Sequence, residues 1–184
     1  MATATSPAAE TARMIDSLGP EALAKAQAYT SGGHWLLFAG VTVSILITWI
    51  MVRFRLLDRI AERMAGRNRG LATFVVAAAF FLISAVLALP WTLYTDWHRQ
   101  RAYDLSSQPL GDFLGQLALS EAISAVVGGL FLMGVYALIR RTGARWWLWS
   151  GGLTAVTMAL FLLAGPSLIE PLFNEYKPVP PGEV

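Results

Sequence analysis

The chain contains no cysteine, which excludes a disulfide framework and any thiolate metal site and removes the usual indicator of redox compartment. Histidine is almost as scarce. The two that occur, His34 and His98, lie on different segments, and neither belongs to an H-E-x-x-H pair that would set two imidazoles one helical turn apart to bind zinc. There is no glycine-rich phosphate loop, and the serines have no histidine partner, so they read as helix-packing residues and not as nucleophiles. Charge is sparse too, at 14% of 184 residues with a formal net charge of +2. That is too little to argue for a nucleic-acid partner. The first residues, Met1 to Glu10, are small and polar, without the basic and then apolar regions of a secretory signal peptide. Residues 1–18 therefore read as a flexible lead-in.

What the chain does have is apolar sequence. It makes up 55% of the residues, gathered into long blocks instead of being spread at helical or strand spacing, which means lipid and not a soluble core. From Leu71 to Thr95 there is no charge, a run well past the roughly 20 residues needed to cross a hydrocarbon layer about 30 Å thick. Three more blocks resemble it, giving expected spans at about 34–53, 71–95, 113–139 and 146–169. The expected fold is all-α: an integral membrane bundle of four transmembrane helices over residues 19–177. A short amphipathic helix precedes the spans, opened by Gly19-Pro20-Glu21 with proline at the first helical position. It is expected to lie at the membrane surface or to pack on a partner. Membrane lipids are the first expected partner.

Several residues inside the spans stand out. Pro90, near the exit of the second, frees a carbonyl one turn earlier, which lipid tolerates only where protein, a hydroxyl or water satisfies it. Gly40, Ser44 and Thr48 fall four apart and suit close helix approach. In the third span Gln116, Ser120, Ser124 and Gly128 recur every four residues, a stripe for which lipid is a poor neighbour. Glu121 lies beside it. An ionisable residue in a span marks a functional site unless it sits close enough to the interface to reach water, and both readings stand for Glu121, with Arg99 and Arg101 as conceivable partners. The loop from Arg53 to Arg69 holds six arginines against Asp58 and Glu62; it is either a one-sided anchor or an anionic-lipid site. A short loop, Arg140 to Arg145, forces a hairpin, and Trp146-Trp147-Leu148-Trp149 opens the fourth span as an interfacial aromatic belt.

Taken in order, these features resemble the amino-terminal membrane domain of the CAAX prenyl endopeptidase family of zinc metallopeptidases. The matching stretches are Ala24 to Tyr29, Leu89-Pro90-Trp91-Thr92-Leu93-Tyr94, Tyr103-Asp104-Leu105, the tryptophan-rich hairpin, and Ile169 to Pro178 with its Pro171-Leu172-Phe173-Asn174 core. The resemblance implies that the helices enclose part of a substrate chamber. It also implies zinc in the full-length enzyme, held by an H-E-x-x-H domain beyond this chain, so that residues 178–184 are a proline-rich exit toward a missing catalytic domain. The resemblance places no catalytic residue and no metal ligand in this chain. Pro90, Tyr94, Tyr103, Pro171, Phe173 and Asn174, with Glu121, are the candidates for lining the chamber or bracing that domain. Further implied partners are the zinc protease domain and a peptide or protein substrate near the membrane.

The chain departs from the family pattern at four positions. Members usually carry an acid where Gln100 stands, a glycine at Asp104, and an acid followed by a lysine at Gln116 and Leu119. An even number of spans puts both termini on one side. The positive-inside rule places them outside the cytoplasm, in a bacterial inner membrane; analogy with eukaryotic members places them in it. Two rival functions stand beside the protease reading. One is a non-enzymatic membrane scaffold or accessory subunit acting through its small-residue helix faces; the other is a transporter fragment, which would need an internal repeat that is not visible.

Overall fold

The computed structural model describes residues 7–165, and every regular element among them is helical. Helix α1 spans Pro7–Ser17 and α2 Gly19–Arg53, with α3 at Leu56–Arg63 and α4 at Arg69–Thr92. A π-helical turn, Leu93–His98, joins α4 to α5 at Arg99–Ala102. Helix α6 runs over Leu110–Thr142, a 3₁₀ turn over Gly143–Arg145, and α7 over Trp146–Ala164.

Two expectations change at the amino end. The lead-in is helical from Pro7 onward, and α1 ends because Gly19 takes φ +78°, a left-handed conformation that glycine adopts without a Cβ penalty. The short amphipathic helix expected after Gly19 is not separate from the first span: α2 is one helix of 35 residues. Ser31-Gly32-Gly33 lowers its propensity, yet holds no proline, and nothing removes a backbone donor. At 1.5 Å per residue α2 is roughly 52 Å long, so much of its amino-terminal half has to stand clear of the hydrocarbon.

Among the described residues, three helical stretches are long and apolar enough to cross a membrane: Gly19–Arg53, Arg69–Ala102 and Leu110–Ala164. The last, at 55 residues, turns back at Gly143, where φ is +53°. Gly134 and Leu153, nearly equidistant from that turn in sequence, come together: a Cβ on Gly134 would lie 3.0 Å from Leu153 Cδ2. The expected hairpin is present. Trp35, Val86 and Leu163 are 75%, 70% and 77% exposed, a degree of apolar exposure that hydrocarbon covers and water would not sustain.

The helices gather into two compact units, one drawn from residues 1–50 and 87–110, the other from 51–86 and 111–184. Among the described residues of the second unit the buried positions are Met51, Ala77, Ala125, Gly129 and Ser150. Small side chains let helices approach closely where packing, and not the expulsion of water, holds them. A Cβ at Gly128 would stand 2.3 Å from Phe81 Cε2, and one at Gly129 would stand 2.9 Å from Phe74 Cε2. Asn68 caps α4, its Oδ1 accepting from the backbone N–H of Gly70 at 2.8 Å. In the first unit Gly40 receives the ring of Trp91, whose Cζ2 lies 3.7 Å from a Cβ position there. Ser44 and Thr48 instead bond the carbonyls of Gly40 and Ser44 on their own helix and remain exposed.

Candidate functional site

The site grows out of the exit of α4. Pro90 has no N–H to give to the carbonyl of Val86, and three residues later the helix widens into the π-helical turn Leu93–His98. Such turns accommodate an extra residue and re-aim the side chains beyond them. The Thr95 hydroxyl donates to the Trp91 carbonyl at 3.1 Å, adding a donor where the ladder is disturbed. Trp91, Tyr94 and His98 line up along this exit, with Tyr94 stacked on His98 at 6.1 Å between ring centroids. Tyr94 and Pro90 are exposed.

Immediately after the turn, Arg99 reaches α2. Its guanidinium carbon lies 4.0 Å from the centroid of the Tyr29 ring and 5.5 Å from that of Tyr103. The two tyrosines meet edge to face at 5.1 Å. The same guanidinium donates to the Tyr29 carbonyl and lies over Gly32 and Gly33, where a Cβ would stand 3.4 Å and 3.8 Å from Arg99 Nη2, at ordinary contact distance. Gln100 Nε2 donates to the Tyr29 hydroxyl at 3.1 Å. A planar cation lying against two rings that touch each other, with an N–H aimed at a carbonyl, is a geometry that arginine provides and lysine does not.

Two further ties complete the cluster. Lys25 donates to the carboxylate of Asp104; that hydrogen bond first, and the lysine's charge second, hold the Asp104 carboxyl below its ordinary range. Asp104 also takes φ +57°, which explains why glycine suits this position in proteins of the resembling pattern; aspartate is among the few other residues that tolerate it. Trp97 Nε1 donates to the Gln108 carbonyl at 3.1 Å, and the Arg101 guanidinium sits 5.3 Å above the Trp97 ring.

Of the residues singled out from sequence, Pro90, Tyr94 and Tyr103 all fall in this first unit, Tyr103 within the arginine cluster and the other two on the exit before it. Glu121 lies elsewhere, half-buried on α6 in the second unit, with no ion-pair or hydrogen-bond partner among the described residues. Its conceivable partners are engaged otherwise, Arg99 with Tyr29 and Arg101 with Trp97 and Gln108. On the same helix Gln116, Ser120 and Ser124 are exposed, whereas Gly128 packs on Phe81. Pro171, Phe173 and Asn174 lie outside the described residues. Sequence reasoning missed Lys25, Tyr29, Arg99 and Gln100 as a group. Aromatic residues flanking a Ser-Gly-Gly stretch and an arginine just past a proline-bearing exit were the available signals, about 70 residues apart and unlinked by any local pattern.

No three His, Asp or Glu side chains among the described residues are grouped so as to hold a metal ion.

A long-helix membrane protein with a proline-bearing exit, a stacked arginine and a tryptophan-rich hairpin is the class these features define. The model of the CAAX prenyl protease N-terminal family, described as five membrane helices, matches residues 3–175, and the chain belongs to that family. It is 26% identical over 166 residues to YhfN, an uncharacterized metalloprotease of Bacillus subtilis, covering 87% of this chain and 38% of the relative. With a CAAX prenyl protease 1 homolog of Arabidopsis thaliana it shares 20% identity over 181 residues, 93% of this chain and 42% of the relative. A homolog of the same name from Taenia solium is 25% identical over 97 residues, 53% of this chain and 21% of the relative. The chain thus spans less than half of the length of these relatives. No solved structure matches it significantly.

Proposed function

We propose that this chain forms part of the substrate chamber of a CAAX prenyl protease-like zinc metalloendopeptidase, with the zinc ligands in a following domain and four membrane crossings at α2, α4, α6 and α7. The observation that carries the reading is on α6. A helix of membrane-spanning length presents Gln116, Ser120 and Ser124 to its surroundings, beside a half-buried Glu121 that has no described partner. Hydrocarbon is a costly neighbour for an unpaired carboxylate, by several kcal/mol; a water-filled chamber or the adjoining catalytic domain is not. Pro90, Tyr94 and Tyr103 line the mouth of that chamber or brace the catalytic domain together with Pro171, Phe173 and Asn174. The Tyr29–Arg99–Tyr103 stack fixes the segment that carries them. The arginine-bearing loops lie at the cytoplasmic face of a bacterial inner membrane by charge bias. The substrate is a peptide or protein cut close to the membrane.

The test is made on the whole open reading frame that contains this chain. An H-E-x-x-H segment downstream is the first expected result, and its absence refutes the protease reading. In the purified whole enzyme, Glu121→Leu leaves expression intact and lowers cleavage of a membrane-anchored peptide several-fold. Unchanged proteolysis would return Glu121 to the interface and remove the support for a chamber.

A further inference from the structure

Residues 53–69 of the second unit set six arginines against Asp58 and Glu62, a net charge of +4, and all six arginines are exposed. The two acids do not share themselves out among them. Both turn to Arg55, Asp58 at 2.8 Å and Glu62 at 3.6 Å. Arg53, Arg59, Arg63, Arg67 and Arg69 are left without an ion-pair partner among the described residues. Basic residues of the first unit are placed differently: Lys25 holds Asp104, Arg99 lies against Tyr29, and Arg101 sits over Trp97. Helix α3 accounts for the exposure, since it half-buries Leu56, Leu57 and Ile60 and leaves Arg59 and Arg63, four apart, outside. The hollow beside Arg59, about 300 Å³, is lined by Arg53 and Arg55 but also by Asp58 and Glu62. It is therefore no closed seat for a single anion, and the uncompensated charge belongs to the face as a whole.

The ends of this loop fix where that face lies. Arg53 closes α2 directly after the uncharged run from Trp35 to Val52, and Arg69 opens α4 directly before the one that lasts to Thr95. Between them α3, at 1.5 Å per residue, is only about 12 Å long. The guanidinium groups therefore stay beside the phosphate layer of the bilayer, where screening over about 8–10 Å still leaves attraction. Arg140 and Arg141 close α6 at the same end of the unit, because α4 and α6 run in opposite directions: Gly70 lies beside Met133, and Phe74 beside Gly129. Guanidinium pairs with phosphate in a two-pronged fashion, and clustered arginines next to a membrane helix attract acidic head groups. We propose that the exposed arginine face of residues 53–69 gathers anionic phospholipids around this end of the protein, several head groups meeting Arg53, Arg59, Arg63, Arg67 and Arg69 without a defined pocket. A lipid surface is the partner that the two flanking helices bring alongside. This inference depends neither on the protease reading nor on which side of the membrane the loop occupies.

The experiment is electron paramagnetic resonance of the full chain reconstituted in phosphatidylcholine vesicles that carry a trace of spin-labelled phosphatidylglycerol or spin-labelled phosphatidylcholine. The motionally restricted fraction of each label gives their relative association with the protein. The glycerol lipid is expected to be favoured about twofold or more, and the preference shrinks in about 1 M salt, where the Debye length is about 3 Å. In the triple variant Arg59→Gln, Arg63→Gln, Arg67→Gln the preference falls towards equality. Asp58→Asn with Glu62→Gln, which makes the same kind of change in the same loop, raises it, because Arg55 is released. Opposite signs from the two variants separate a charge effect from mere disturbance of the loop. Equal restriction of the two labels, an undiminished preference in the arginine variant, or a preference that is unchanged or lower in the acid variant would each overturn the proposal. So would loss of the preference in the protein made from the whole open reading frame, which would mean that protein, and not lipid, covers these arginines.

Discussion

Replacing Gly128 by alanine puts one methyl group where the structure has no room for it. Its carbon would lie 2.3 Å and 2.5 Å from Cε2 and Cζ of Phe81, whereas carbon atoms settle at roughly 3.5–4.0 Å. The ring has to withdraw by more than about 1 Å, with Phe80 already edge-on to it at 5.5 Å between centroids. Overpacking of this kind costs about 1–3 kcal/mol, and alanine's better helix propensity returns up to about 1 kcal/mol. The net expectation is a loss of about 1–2 kcal/mol. Gly151→Ala on α7 is the internal control. Nothing lies within 4 Å of its Cβ position, so only the propensity gain of up to about 1 kcal/mol remains. Unfolding of the two purified variants and the parent by graded addition of sodium dodecyl sulfate to mixed micelles, followed by circular dichroism, reads the difference. The two substitutions are chemically identical, so opposite signs isolate the contact between α6 and α4. If Gly128→Ala proves as stable as Gly151→Ala, the close approach of these helices is wrong.

Two further outcomes concern the first unit. Arg99→Lys keeps the charge but loses the guanidinium plane against Tyr29 and the aimed donor to the Tyr29 carbonyl; a loss of about 1 kcal/mol is expected in the same unfolding assay, and a variant indistinguishable from the parent would show that the cluster does not bear on stability. For Asp104, whose carboxyl is held low by the hydrogen bond from Lys25 and then by its charge, the sign is that of a depressed acid. Its stabilisation is present above the unfolded-state value of about 3.9 and disappears as pH falls through the folded value. Asp104→Asn keeps a residue that tolerates the left-handed backbone. Its difference from the parent should therefore exist at pH 7 and close below about pH 4; a gap constant down to pH 3 would refute the pairing.

The apolar blocks were legible because lipid demands unbroken length, and the tight hairpin because a six-residue loop after a long helix leaves no other path. The left-handed break at Gly19 coincides with the predicted helix start for a local reason, since glycine followed by proline both ends one helix and begins the next. The continuity of α2 was not legible: Ser31-Gly32-Gly33 looks like a boundary, although it holds no proline to take a donor from the helix. The π-helical turn was hidden as well. Proline announces a disturbance, but whether the chain kinks, stops or widens depends on what Trp91 and Thr95 meet afterwards. The cluster of Lys25, Tyr29, Arg99 and Gln100 rests on residues about 70 positions apart, and no periodicity links such distant partners. Family resemblance pointed to Tyr103 and to the unusual Asp104, and the positive φ at Asp104 supplies the physical reason for the latter.

The widened turn at Leu93–His98 works as a one-notch index on a screw thread. Each residue of an ordinary α-helix advances the side chains by about 100°, and the widened turn already takes up one surplus residue, so adding a further amino acid there would exceed its slack and swing Arg99 and Tyr103 round to a different quarter of the rod. The two tyrosines and the cation beside them would part company although none of the three had been altered. Spacing along this short piece of chain thus governs what its carboxyl-terminal side can grip, independently of which residues occupy it.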